Sequence, residues 1–137
     1  MTADVFVDTN VLVYAYDVDA GVRHETAQAL VAEAWRGLLT PWISVQVLQE
    51  LLAALRRGGV PLRQACKIVM PHTHWRVIET DVALFRSGME EAVRWQLSHW
   101  DGLILAAARR AGVKTLLSED FNPGQDYGGI RAVNPFA

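Results

Sequence analysis

The sequence predicts an α/β protein with a parallel sheet covered on both faces by helices. Three observations lead there. Short β-prone runs alternate with helical stretches along all 137 residues, the order that right-handed βαβ crossovers produce. The first run, Val5-Phe6-Val7, is apolar at consecutive positions, as in a strand buried from both sides. The stretch "GLILAAA" is apolar around its whole circumference, so its helix must lie inside. The length fits one domain spanning residues 1–137.

The elements follow in order. "DVFVD" (4–8) reads as a strand and Val11–Tyr16 as a short helix. His24–Trp35 carries Ala27, Leu30, Val31 and Ala34 at helical spacing. A short strand is centred on Trp42 and Ile43. Ser44 then N-caps a helix that stops at Gly58-Gly59. Pro61 opens a further helix through Met70. "WRVIET" is a strand. A helix begins at Thr80 or Asp81, and the next, from Trp100, ends at Gly112. "VKTLLSE" and "IRAVNP" are the last strands.

Composition removes several classes. With 51% apolar and 20% charged residues the chain can bury a core and is not disordered. A single cysteine, Cys66, excludes an intrachain disulfide framework and fits a reducing cytosol. Its place in "QACKIVM" suggests a small core residue. The start shows no basic segment followed by an apolar one, so no leader is expected. The charge-free stretch from Gly37 to Gln49 is too short and polar for a bilayer, and no membrane role is expected. The net charge of −2 argues against a general nucleic-acid coat. Arg56-Arg57, Arg63, Lys67, Arg109-Arg110 and Lys114 nevertheless form local basic groups.

Ligands of parallel α/β sheets sit at the carboxyl ends of the strands. Asp8 ends the first strand, and Glu119 and Asp120 end a later one. Glu50 lies on a helix about 130° from the stripe of Val47, Leu48, Leu51, Leu52 and Leu55, beside the small Ala53 and Ala54. Asp101 sits in the first turn of the buried helix. Each acid alone has an ordinary explanation as a helix cap, a turn or a polar face. Together, carboxylates about 4 Å apart repel by roughly 4 kcal/mol at an effective dielectric near 20, and a bridging cation removes that penalty. Oxygen ligands without thiolate or an ordered histidine set favour Mg²⁺ or Mn²⁺. The histidines do not compete: His72 and His74 in "PHTHW" read as a surface loop, His24 starts a helix, and His99 packs near Asp101.

The blocks "VFVDTNVLVYAYD", "VLQELLAAL", "HWDGLILAAARRAG" and "LLSEDFNPGQDYGGIRAVNPF" resemble the four acidic blocks of the PIN domain. More narrowly, they resemble the VapC-type toxin ribonucleases of type II toxin–antitoxin systems. The likeness runs from Val5 to Phe136 with the blocks in order. It implies a three-layer α/β/α sandwich with a mainly parallel central sheet and a cytoplasmic, Mg²⁺- or Mn²⁺-dependent endoribonuclease. It assigns catalytic and metal-holding roles to Asp8, Glu50, Asp101 and Asp120. Asn10 and Ser118 would support them, with Glu119 as rival to Asp120 for the fourth place. Cleavage by activated water would leave a 5′-phosphate and a 3′-hydroxyl. The resemblance also implies an RNA substrate, a homodimer and a cognate antitoxin whose tail can set a basic side chain against the acids. Tyr14, Tyr16 and Trp35 are permissive for such contacts.

Other classes fit less well. A phosphatase of the haloacid-dehalogenase type needs a second Asp two residues after the first, where this chain has Asn10. A receiver domain needs a lysine after its late strand, and Lys114 precedes it. A catalytically silent PIN-like module, binding RNA or protein, would have lost acids, and none is lost.

Overall fold

The computed structural model describes residues 3–137. It is a three-layer α/β/α sandwich. Five strands, β1 (Ala3–Val7), β2 (Leu39–Ser44), β3 (Arg76–Ile78), β4 (Thr115–Leu117) and β5 (Arg131–Val133), form one sheet in the order β3-β2-β1-β4-β5. Every neighbouring pair is parallel. Six α-helices connect them: α1 (Thr9–Tyr16) and α2 (Val22–Trp35), α3 (Val45–Arg57) and α4 (Leu62–Val69), α5 (Val82–Trp95) and α6 (His99–Ala111). The chain steps outward from β1 to β3 and then crosses back to β4. Right-handed crossovers therefore place α5 and α6 on the face opposite the earlier helices. The reversal leaves a crevice between the carboxyl ends of β1 and β4.

Local chemistry sets the boundaries. Val5, Phe6 and Val7 are all buried, so β1 is the apolar centre of the sheet. Ser44 Oγ accepts from the Val47 amide 3.3 Å away and starts α3. Asp81 accepts from Leu84 N at 2.8 Å and starts α5, deciding between the two starts expected. Gly112 closes α6 with φ +76°, a conformation costly for residues with a Cβ. The α4 helix stops at Val69, a residue earlier than expected, and the chain tightens into a 3₁₀ turn over Met70–His74.

Two expectations need correction. His72 is fully buried, whereas "PHTHW" suggests a surface loop. The 3₁₀ turn points it inward, where its Nε2 lies 2.5 Å from Tyr16 Oη and its ring meets Trp35 and Trp75. Burial lowers its pKa to about 4, so the imidazole is neutral. His74, in the same turn, is exposed as expected. Cys66 is exposed, because Ala65 and Val69 form the inward face of α4 and leave the adjacent position to solvent. Among the described residues no helix is long and apolar enough to cross a membrane.

The pair α5–α6 packs unusually closely. A Cβ on Gly102 would stand 2.4 Å from Gly88 O and 2.8 Å from Ala92 Cβ. From the last turn of α6, Arg109 grips Glu91 of α5 through two bonds of 2.8 and 3.0 Å. The same guanidinium donates to the carbonyls of Tyr127 and Gly128 in the loop after β4. Gly102→Ala is expected to destabilise the protein by about 1–3 kcal/mol through overpacking, read as a lower midpoint in thermal unfolding. An unchanged midpoint would show that the helices separate freely.

Candidate metal centre

Asp8 directly follows β1 and caps α1, accepting from Thr9 N at 2.7 Å. Its own amide donates to Leu117 O at 3.0 Å, which ties the site to β4. Ser118 follows β4 and donates its hydroxyl to Asp8 Oδ2 at 2.6 Å. The same Oγ accepts from Asp120 N at 3.0 Å and from Asn10 Nδ2 at 3.3 Å. Asn10 also donates to Asp120 Oδ2 at 3.1 Å and accepts from Glu119 N at 3.3 Å. Ser118 and Asn10 thus hold both chain segments that carry the acids.

Asp101 comes from the first turn of α6, whose N-cap is Ser98. One carboxylate oxygen each from Asp8, Asp101 and Asp120 lie within 4.8 Å of one another. Opposite oxygens around Mg²⁺ stand about 4.2 Å apart at the usual bond length, so the three oxygens are spaced nearly as one such ion would need them. The donor set is oxygen only, which suits a hard divalent cation. Glu50 lies on the wall of the same cavity, outside this group of three. It accepts from Thr9 Oγ1 at 2.6 Å and is 3.5 Å from Gln46 Nε2. Ala53 and Ala54 line the cavity beside it, which keeps the approach to the carboxylate open.

Glu119 turns elsewhere. It accepts from Tyr14 Oη at 2.9 Å and from Arg23 Nε at 2.8 Å. The Arg23 guanidinium holds the Glu119 carboxyl below the usual range. Thr9, Gln46, Tyr14 and Arg23 were not among the site residues expected from sequence. Only Gln46 left a signal, four residues before Glu50 on one helical face.

The electrostatics favour a cation. Burial pushes the Asp8 carboxyl up to about 7, the negative Asp120 and Asp101 add to this, and the bonds from Ser118 and Thr9 oppose it. Asp101 is raised by burial and then by Asp120 and Glu50.

Fold and site together define a parallel α/β protein with a carboxylate pocket at its topological switch point. The chain belongs to the PIN domain family, whose sequence model matches residues 5–123. No curated protein matches it. Three solved structures are similar. VapC20 of Mycobacterium tuberculosis, described as a sarcin-ricin loop cleaving toxin, is 23% identical with a TM-score of 0.67, over 85% of this chain and 89% of that one. A toxin–antitoxin complex from Klebsiella pneumoniae is 20% identical with a TM-score of 0.65, covering 96% and 97%. VapBC2 from Rickettsia felis, bound to a promoter DNA fragment, is 18% identical with a TM-score of 0.63, covering 94% and 96%. At these identities the likeness is one of fold.

A pH dependence follows for the metal-free protein. Asp8 titrates near 7 when folded and at 3.8 as a free side chain, so the folded state binds this proton more tightly. That stabilisation is complete below the lower value and is lost as pH rises through the upper one. Relative to Asp8→Asn, the thermal midpoint of the metal-free protein should therefore fall between about pH 4 and 7. Divalent ions compete with the same proton, so calorimetry should show affinity weakening by up to about tenfold per pH unit below 7. A pH-independent difference in midpoint would contradict the burial argument.

Proposed function

We propose that this chain is a metal-dependent endoribonuclease and the toxin of a toxin–antitoxin pair. The observation that carries this reading is the convergence of Asp8, Asp101 and Asp120 within 4.8 Å at the switch point of the sheet. Membership of the PIN family and the toxin structures of similar fold support it.

Asp8, Asp101 and Asp120 would hold the ion, with Glu50 on the wall of the same cavity as a further carboxylate able to reach it directly or through water. A Mg²⁺ or Mn²⁺ ion so held supplies charge neutralisation at a phosphodiester and acidifies water. The protein's own contribution is positional. Ser118 and Asn10 fix the relative heights of Asp8 and Asp120. Thr9 spans Asp8 and Glu50, donating its amide to one and its hydroxyl to the other. In-line attack of water on phosphorus breaks the bond to the 3′ oxygen, which takes up a proton, and leaves a 5′-phosphate.

The cognate antitoxin would dock on the apolar groove lined by Tyr16, Ala29, Ala32 and Trp35, where Trp35 is 50% exposed. The exposed stripe Val82, Phe85, Met89 and Val93 along α5 supports a homodimer. We place the protein in the cytoplasm, where RNA and reducing conditions coexist.

The test is incubation of the pure protein with total cellular RNA in Mg²⁺, Mn²⁺ or chelator, followed by mapping of new 5′ ends. Cleavage is expected with metal and should vanish with chelator. Folded Asp8→Asn should retain below about 1% of the activity, given that loss of even an outer contact costs 10–100-fold. Undiminished cleavage by that variant sinks the proposal, and RNA binding without cleavage by the wild type indicates a silent module. Asp120→Asn should behave like Asp8→Asn, whereas Glu119→Gln should keep activity within about tenfold, since its carboxylate holds Tyr14 and Arg23. The reverse order would make Glu119 the fourth acid.

A further inference from the structure

The carboxylates occupy only part of their cavity. Its wall also includes Trp100, 62% exposed, and Arg57. An indole left in water forgoes a large hydrophobic gain, so a well-braced one beside a reactive centre invites an explanation. Trp100 is braced. Its carbonyl accepts from Gln46 Nε2 at 3.1 Å, and its ring lies 5.4 Å from that of His99, which in turn meets Phe85 edge-to-face at 5.0 Å. Arg57 is exposed, and the described residues give it no salt bridge. It stands on the same stripe of α3 as Gln46, Glu50 and Ala53, at successive spacings of about one helical turn.

Holding a cation requires neither residue. The two together have a different chemistry. An indole face stacks on any nucleobase, and a guanidinium fork matches a phosphate. We infer that Trp100 and Arg57 form a subsite for an unpaired nucleotide of single-stranded RNA. The base lies on the indole, and a backbone phosphate next to the scissile one meets the guanidinium. This rests on the endoribonuclease reading and adds to it the two residues that would hold the nucleotide; a base inside a duplex has both faces occupied by its neighbours and cannot take the indole. A second copy of the chain is offered the apolar stripe of α5, whereas an indole beside a guanidinium matches a base and its phosphate.

The experiment uses the Asp8→Asn protein, so that RNA is not cut, and a fluorescent single-stranded RNA of randomised sequence read by anisotropy. Trp100→Ala should weaken binding about 5- to 100-fold, and Trp100→Phe should recover most of it. Arg57→Ala should lower the salt dependence of binding by about one phosphate contact. One fixed, unstructured sequence drawn from that pool should bind more weakly once annealed to its complement than as the single strand. In the active protein, Trp100→Ala should raise KM with kcat within about threefold. Unchanged affinity and KM in Trp100→Ala, or preference for the duplex, overturns the subsite. So does a Trp100→Ala protein that binds RNA normally but sediments in a different oligomeric state, which assigns the indole to a protein contact. If the wild type cuts no RNA with any metal, the endoribonuclease reading falls instead, an outcome told apart because the subsite alone fails when a cleaving enzyme ignores Trp100.

Discussion

A carboxylate buried at the end of the central strand is the constraint around which the molecule is arranged. Asp8 is 4% exposed, and a charge so placed is costly unless something compensates for it. The compensation comes from the Ser118 hydroxyl, 110 positions away, and from the adjoining Thr9 amide and Asn10 side chain. Ser118 can reach Asp8 only if β1 and β4 are neighbours in register, which the bond from Asp8 N to Leu117 O secures. The sheet order therefore follows the needs of one acidic side chain as much as those of the core.

The other acids are divided by their companions. Glu119 and Asp120 are adjacent in sequence, yet one is neutralised by Arg23 and the other is left facing Asp8 and Asp101. A strand ending in two acids thus sends one to stabilise the packing of α1 and α2 and the other to the pocket. Asn10 is the divider, accepting from the Glu119 amide and donating to the Asp120 carboxylate. Tyr14 reinforces the split by donating to Glu119 from the next turn of α1.

Much of this was legible because strong local signals coincide with tertiary ones. Ser44 before an amphipathic run, Gly112 after an apolar one and three consecutive apolar residues in β1 each specify their element by short-range physics. Asp8 and Asp120 were legible because strand ends are where parallel sheets bind ligands. What failed was burial over short irregular spans. The inward turn of His72 depends on Tyr16 and Trp35 meeting it from α1 and α2, and on Trp75 at the end of its own turn, and no periodicity announces that. Cys66 misled because residue type outweighed helical phase in a helix of only eight residues. Arg23 and Thr9 left no signal, since a salt bridge across 96 positions and a hydroxyl bond across 41 are invisible to local pattern.

The clamp at Arg109 gives the site a mechanical property. The first turn of α6 carries Asp101, and its last turn carries the guanidinium that fastens the loop beyond Asp120 at Tyr127 and Gly128. One helix thus carries Asp101 at one end and anchors the loop that follows Asp120 at the other. A displacement of that helix is therefore passed to Asp101 directly and to the loop beyond Asp120 through the Arg109 bonds.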